Sequence, residues 1–170
     1  IWADDLSGPF VETKGKRYVG HATEEYTGWN VAVAIPNKEG TMVAEAIHTE
    51  IILKYRPPKH LLTDNGKEFI NAILSTLTAQ YGIKHIRASP YHPEGNAFVE
   101  SRHRHYNKIL KICCNKYGLT WPDAIVFANW CLNTRPYKGT RHSPYELLFG
   151  TKPPSTAELA LVDEHFDYHN

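Results

Sequence analysis

Two acidic residues on different expected elements constrain the fold of this chain most strongly. Asp64 follows a short apolar run, Leu61-Leu62, and precedes Asn65-Gly66, a dipeptide typical of turns, so we expect Asp64 to end a buried strand. Glu100, separated from Asp64 by 35 residues, stands near the start of a segment with helical periodicity. A further pair, Asp4-Asp5, lies beside a turn near the beginning of the chain. Carboxylates on separate elements, each in or beside a turn, can converge on divalent metal.

Five motifs occur in a fixed order around these acids. They are Asp-x-x-Gly-Pro at 5–9, Thr-Asp-Asn-Gly-x-x-Phe at 63–69, Tyr-His-Pro-x-x-x-x-x-Val-Glu at 91–100, Asn-Thr-Arg-Pro at 133–136, and Ser-Pro-Tyr-Glu-Leu-Leu-Phe-Gly at 143–150. Together they resemble the catalytic core of retroviral and retrotransposon integrases, closest to the Ty3/gypsy and foamy-virus type. The resemblance implies an α/β, ribonuclease H-like fold, in which a five-stranded mixed sheet is flanked by helices and the first and fourth strands are neighbours.

Composition and length predict one domain with an ordinary hydrophobic core. We assign residues 1–154 to the integrase catalytic core and 155–170 to an acidic C-terminal tail or linker. No run is long and apolar enough for a membrane span, no signal peptide is recognisable, and the chain reads as a fragment of a longer polypeptide. Three cysteines give no disulfide framework, match no zinc spacing, and are expected to pack in the core of an intracellular protein.

Apolar periodicity and turn residues predict the order of the elements. The expected strands cover 1–5, 17–25, 29–35, a short segment up to 63, and 83–88; the expected helices cover 41–55, 68–81, 96 or 97 to 117, 121–133, and a short segment starting at 143 and ended by Gly150. A loop is expected at 89–96. In the second helix the inward face is predicted to hold Phe69, Ile70, Ile73, Leu74 and Leu77. In the longest helix it is predicted to hold Val99, Tyr106, Ile109, Leu110, Cys113 and Tyr117.

The catalytic roles follow from the resemblance. Asp5 lies three residues before Gly8, the register of the family's first catalytic acid, so the resemblance favours it. Asp4 is the alternative, since neighbours on a strand point to opposite faces, and a solvated carboxylate at a strand end is the structural alternative for either acid. By resemblance, Asp5 bridges two Mg²⁺ ions, Asp64 binds one of them, and Glu100 binds the other. Mn²⁺ is expected to be able to substitute for Mg²⁺.

An uneven charge distribution indicates where DNA binds. Residues 102–141 contain eight basic residues and one acidic residue, directly after the expected metal site. On a helical wheel Arg104, Lys108 and Lys111 lie near Glu100, and we expect them to bind phosphates. Tyr91 and His92, in the loop before the helix, are further DNA-binding candidates. The alternatives are a solvated basic face for the helix, an ordinary Glu100–Arg104 ion pair, and a role as loop anchor for Tyr91.

By resemblance, the chain is a magnesium-dependent DNA integrase that cuts and joins strands, with retroelement end DNA and target DNA as partners. It is expected to act as a homo-oligomer in the nucleus, away from membranes. Relatives usually carry Gln, Gly and Arg where Glu94, Ala97 and Ser101 stand. The alternative is a domesticated or decayed copy that serves as a DNA-binding or scaffolding module. A ribonuclease H-like nuclease that only hydrolyses is a third reading.

Overall fold

A five-stranded mixed sheet forms the centre of the structure, a computed structural model that describes residues 1–87, 93–137 and 140–154, with the backbone alone for 93–103. The strands are β1 (Trp2–Ser7), β2 (Tyr18–Glu24), β3 (Asn30–Ile35), β4 (His60–Thr63) and β5 (Lys84–Arg87). Their order is β3-β2-β1-β4-β5. The β1–β2 and β2–β3 pairs are antiparallel, and β1–β4 and β4–β5 are parallel. The expected sheet, with the first and fourth strands adjacent, is confirmed.

Helices cover both faces of this sheet. They are α1 (Gly40–Ile47), a π-helical turn (His48–Ile52), α2 (Leu53–Tyr55), α3 (Ala72–Gln80), α4 (Pro93–Tyr117), α5 (Trp121–Thr134) and α6 (Pro144–Phe149). One core lies between the sheet and the helices α1, α3 and α6, and includes Trp2, Ile47 and Leu61. The other core lies between the sheet and the helices α4 and α5, and includes Val19 and Ile109.

Apolar residues in β3 serve both cores. Val31 and Ile35 belong to the core under α1, while Ala32 belongs to the core under α4 and α5. A strand that is covered on both faces needs a continuous apolar run rather than an alternating one. The strand predicted at 29–35 is present as β3, and its apolar residues are divided between the two cores.

The predicted helix at 41–55 is interrupted. Its buried residues include Val43, Ile47 and Ile51, but the backbone widens into the π-helical turn at His48–Ile52 before α2. One extra residue per turn changes which side chains share a face, and apolar periodicity at 100° per residue does not detect that change.

The predicted helix at 68–81 begins four residues late. Asn71 has extended backbone angles, and its side-chain oxygen accepts a hydrogen bond from the Leu74 N–H at 2.8 Å, so it caps α3. Phe69 and Leu74 are buried as predicted, but Ile70 and Ile73 are about half exposed, which corrects their assignment to the inward face. Residues 67–69 form a turn and 70–71 are bends, so the helical wheel does not apply to Ile70.

The longest helix, α4, begins at Pro93 rather than at 96 or 97, so part of the predicted loop is helical. Proline suits the first helical position, where its missing N–H leaves no intrahelical bond unmade. Tyr106, Ile109 and Cys113 are buried as predicted, but Tyr117, the last residue of the helix, is 42% exposed. At a helix end the neighbouring chain no longer covers every residue of the inward stripe. The side chain of Val99 lies outside the described part of the chain.

The last two helices begin where the sequence predicts. Thr120 precedes α5, and its hydroxyl donates to Asp123 at 2.6 Å. Ser143 and Glu146 form a reciprocal capping box at the start of α6, and Gly150 ends that helix in the left-handed conformation. Cys113 and Cys131 are buried, and the three cysteines are free thiols. None of the described helices is long and apolar enough to cross a membrane. The predicted tail at 155–170 lies outside the described residues.

Candidate active site

Asp5 lies on the side of the sheet that faces α4. It pairs directly with His21 of β2, and directly paired residues project from the same face. The His21 ring stacks against Tyr106 of α4, with 4.9 Å between centroids. One Asp5 carboxylate oxygen accepts a hydrogen bond from the Leu6 N–H at 2.7 Å. The sheet therefore directs Asp5 toward the helix that carries Glu100.

Asp4 lies on the opposite face and is 8% exposed. It pairs with Ala22, which belongs to the core under α1. Burial raises the pKa of Asp4 well above its ordinary value, and the negative charges of Asp5 and Asp64 raise it further. Asp4 is thus an acid of the core that is close enough to the strand ends to be affected by their charges.

Asp64 is the first residue after β4 and is exposed to solvent. The parallel pairing of β1 with β4 matches Ala3 with Leu62, and the same register, continued by two residues, aligns Asp5 with Asp64. The Asp64 Oδ1 atom accepts a hydrogen bond from the Gly66 N–H at 2.8 Å. The expected strand-end position and the turn at 65–66 are both present, and the turn restrains the carboxylate.

Gly66 lies so close to the carboxyl groups of Asp64 and Glu68 that a side chain at this position would contact both. A Cβ at this position would stand 2.9 Å from the Asp64 Oδ1 atom, 2.7 Å from the Glu68 Cδ atom and 2.9 Å from the Glu68 Oε2 atom. Any side chain at 66 would therefore displace one or both carboxylates. Glu68 is a neighbour of Asp64 that lies on the turn rather than on the predicted helix, and its signal in the sequence is an acid four residues after Asp64.

The third predicted acid, Glu100, lies within α4, but its side chain is outside the described part of the structure. Among the side chains that are described, no group of three or more His, Cys, Asp or Glu residues is placed to hold a metal ion. The convergence of Asp5, Asp64 and Glu100 therefore stays a prediction. Carboxylate oxygens are the donors that Mg²⁺ prefers, so the chemistry of Asp5 and Asp64 fits that ion.

The three cations predicted to bind phosphates are exposed. Arg104, Lys108 and Lys111 all lie on the solvent side of α4, while Tyr106 and Ile109 between them face the core. Their spacing places the three cations along one side of the helix. Tyr91 and His92, the other candidates for DNA binding, fall outside the described residues.

Comparisons with known proteins agree with this geometry. The family model described as Integrase core domain matches residues 1–93. The retrovirus-related Pol polyprotein from transposon 412 of Drosophila melanogaster is 32% identical over 147 residues, which cover 86% of this chain and 12% of the polyprotein. Gypsy retrotransposon integrase-like protein 1 of Bos taurus is 26% identical over 94% of this chain and 32% of its own length. The chain thus spans well under half of either relative.

A solved structure is similar over almost its whole length. It is the crystal structure of the catalytic core domain of BIV integrase, with a TM-score of 0.74 and 28% sequence identity. The similarity covers 88% of this chain and 93% of that one. The ribonuclease H-like architecture expected from the motifs is therefore confirmed.

Proposed function

This chain belongs to the integrase core domain family, and on that premise we propose that it cuts and joins DNA strands by metal-dependent phosphodiester transfer, inserting retroelement DNA into target DNA. The observation that carries the proposal is the register of the parallel β1–β4 pair, which aligns Asp5 of β1 with Asp64, the first residue after β4. In this proposal both carboxylates bind metal, and Glu100 of α4 completes the set.

The chain's own contribution to such a site is to hold the carboxylates in place. Backbone N–H groups of Leu6 and Gly66 each donate to one of them, which limits the orientations that each carboxylate can take. When bound, two Mg²⁺ ions, for which Mn²⁺ can substitute, supply activation of the attacking oxygen and stabilisation of the leaving oxygen at phosphorus. The protein then needs no nucleophile of its own, because water and a DNA 3′-hydroxyl attack in turn.

DNA binding in this proposal uses the exposed cations of α4. Arg104, Lys108 and Lys111 would contact phosphates, which position DNA without reading its sequence. Tyr91 and His92 would contact DNA from the segment that precedes α4. The partners are retroelement end DNA and target DNA, and the proposed assembly is a homo-oligomer in the nucleus; family resemblance supports both statements, and light scattering and microscopy of a tagged protein test them.

The direct test is a strand-joining assay. The chain is incubated with labelled duplex ends and a plasmid, in Mg²⁺ or in Mn²⁺. We expect labelled products of joining that depend on the metal and that Asp64→Asn does not form. Protein that binds the duplex but yields no joined product in either metal would contradict the proposal.

A second candidate function is a DNA-binding or scaffolding module derived from an integrase. The departures from the family pattern at Glu94, Ala97 and Ser101 favour it, because the first adds negative charge and the last removes a cation close to the expected DNA path. The two functions separate in the same assay. A module would bind DNA equally well with Asp64 or with Asn at that position, and would join no strands.

A further inference from the structure

A chain of two hydrogen bonds connects β5 to the backbone of Asp64. Thr63, the last residue of β4, is 2% exposed, and its hydroxyl oxygen lies 2.9 Å from the Asp64 carbonyl oxygen. The same hydroxyl oxygen lies 2.9 Å from Nε2 of His85 on β5. Leu61 pairs with His85 in the parallel β4–β5 register, so Thr63, two residues further along β4, lies on the same face as His85.

The direction of both bonds follows from their chemistry. For both contacts to be hydrogen bonds at once, the single proton of the Thr63 hydroxyl must go to the Asp64 carbonyl oxygen, which only accepts. The hydroxyl oxygen must then accept from His85, which requires a proton on Nε2. Burial, followed by the charge of Arg87, lowers the pKa of His85, which favours the neutral ring. Neutral His85 with Nε2–H is the tautomer that completes the chain.

These bonds act where the sheet ends. Asp64 is the first residue outside β4, so strand pairing no longer restrains it. Its carbonyl is held by Thr63, and its carboxylate is held by the Gly66 N–H. The Thr63 hydroxyl is itself held from the neighbouring strand by His85. The main chain of Asp64 is thereby fixed relative to two strands of the sheet.

We propose that His85 is a positioning residue for the Asp64 site: through Thr63 it fixes the point at which Asp64 leaves the sheet, and so the direction in which its carboxylate is presented to metal. This inference rests on the proposed function of Asp64 as a metal ligand. Groups that orient a metal ligand typically change metal affinity by about 10–100-fold when they are removed. His85 itself touches neither metal nor DNA in this proposal.

The test compares two substitutions that differ in the N–H donor. His85→Phe keeps a planar ring and removes the donor, whereas His85→Gln keeps an N–H at a similar distance from the backbone. Mn²⁺ affinity is measured by calorimetry, and the Mn²⁺ dependence of strand joining is measured alongside it. We expect His85→Phe to weaken Mn²⁺ binding by about 10-fold or more and to raise the Mn²⁺ concentration needed for half-maximal joining, while His85→Gln stays within about three-fold of wild type.

A second pair of variants asks the same question from the other end of the bond. Thr63→Val removes the hydroxyl at nearly constant shape, and Thr63→Ser retains it. Only the Val variant is expected to lose Mn²⁺ affinity. Thermal unfolding in metal-free buffer is recorded for all four variants; a role confined to stability would lower that midpoint and leave Mn²⁺ affinity unchanged in the folded protein.

The outcomes separate this inference from the proposed function. Wild-type Mn²⁺ affinity in folded His85→Phe and Thr63→Val would overturn the positioning role, while leaving Asp64 as a ligand. Equal loss in His85→Phe and His85→Gln would also overturn it, because the N–H donor would then not matter. If wild type bound Mn²⁺ no better than Asp64→Asn, the metal function of Asp64 would fail and the positioning role would fail with it.

Discussion

Polar side chains gather in two regions of the sheet, and they are satisfied in opposite ways. At the β3 edge, Asn133 of α5 accepts from the Asn30 N–H at 2.7 Å and donates to the Asn30 carbonyl at 2.8 Å. Asn129 likewise accepts from the Asn30 side chain and donates to the Ala32 carbonyl, both at 2.9 Å. Asparagines of α5 thus replace the strand that would otherwise pair with this edge.

The end of β4 differs from the β3 edge because the polar side chain that follows it is exposed to solvent. Asp64 is exposed, and the hydrogen bond to its carboxylate comes from its own turn. Asn30 and Asn133, in contrast, are 1% and 4% exposed and bond across about a hundred residues of sequence. The backbone N–H and carbonyl of Asn30 are paired within the protein, which serves the fold because an unpaired buried polar group is costly; the buried Asn30 Oδ1 atom has no partner among the described residues. An exposed carboxylate just after a strand is accessible to a partner from outside the chain.

The largest expected effect on activity comes from neutralising the exposed carboxylate of Asp64. Asp64→Asn removes a proposed metal-binding charge at nearly constant shape, and metal assistance is worth several kcal/mol in the transition state, so strand joining should fall by about a thousand-fold or more. The melting temperature in metal-free buffer should stay close to that of wild type. A large drop in that temperature would show that Asp64, like Asn30 and Asn133, stabilises the fold, and it would contradict the contrast between the two regions.

At the β3 edge, we expect a substitution to lower stability. Asn133→Ala leaves the N–H and the carbonyl of Asn30 without their partner, and each unpaired buried group costs about 1–3 kcal/mol, so the free energy of unfolding should fall by roughly 3 kcal/mol. Denaturant titration measures this loss. Asn107→Ala, on the exposed side of α4, is the matched control and should change stability by less than about 0.5 kcal/mol. Equal effects of the two substitutions would contradict a structural role for the α5 asparagines.

How far the sequence predicts each region follows from the same contrast. Asp64 stands beside a local turn signal, so its position directly after a strand can be predicted from a few neighbouring residues. Asp5 is predicted to end its strand, but β1 continues to Ser7. The Asn30–Asn133 bonds join residues 103 apart, and no local pattern encodes them. The motif at 133–136 carries only a family resemblance in the sequence, whereas the structure pairs Asn133 with Asn30.

The errors in the elements have local physical causes. The cap at Asn71 outweighs the apolar pattern that extends α3 back to 68, and the π-helical turn adds a residue where periodicity assumes none. Pro93 lies in the segment predicted as a loop, but proline is also a good first residue of a helix, and α4 begins there. His85 and Thr63 were unremarkable in the sequence, because their link depends on which strands are neighbours.

A smaller, pH-dependent effect on stability is expected at Asp4, the buried acid near Asp5 and Asp64. Burial, together with Asp5 and Asp64, raises its pKa in the folded state above the unfolded value. The folded protein therefore holds the proton more tightly, and stability falls as pH rises from the unfolded pKa to the folded pKa, with the full penalty above both. Asp4→Asn should remove this penalty, so its stability relative to wild type should increase across that range in metal-free buffer.

Activity provides the control for Asp4. Because Asp4 faces the core under α1, Asp4→Asn should retain strand joining, whereas Asp5→Asn should lose it. The reverse result would assign the metal-binding role to Asp4. A stability difference between Asp4→Asn and wild type that did not vary with pH would show that the charge of Asp4 does not oppose folding.

The smallest expected effect concerns the exposed cations of α4, which are proposed to contact DNA phosphates. If Arg104 and Lys111 contact phosphates, each contact releases counterions, and the slope of log affinity against log salt falls by about 0.9 per phosphate. Arg104→Ala combined with Lys111→Ala should therefore flatten this slope by up to about two units and weaken binding about equally on unrelated duplexes. Lys38→Ala, an exposed lysine between β3 and α1, is the control and should leave the slope unchanged. Binding is measured at low salt, where the electrostatic contribution is largest. A slope that the double substitution leaves unchanged would assign these cations to solvation of the helix, without affecting the prediction for Asp64.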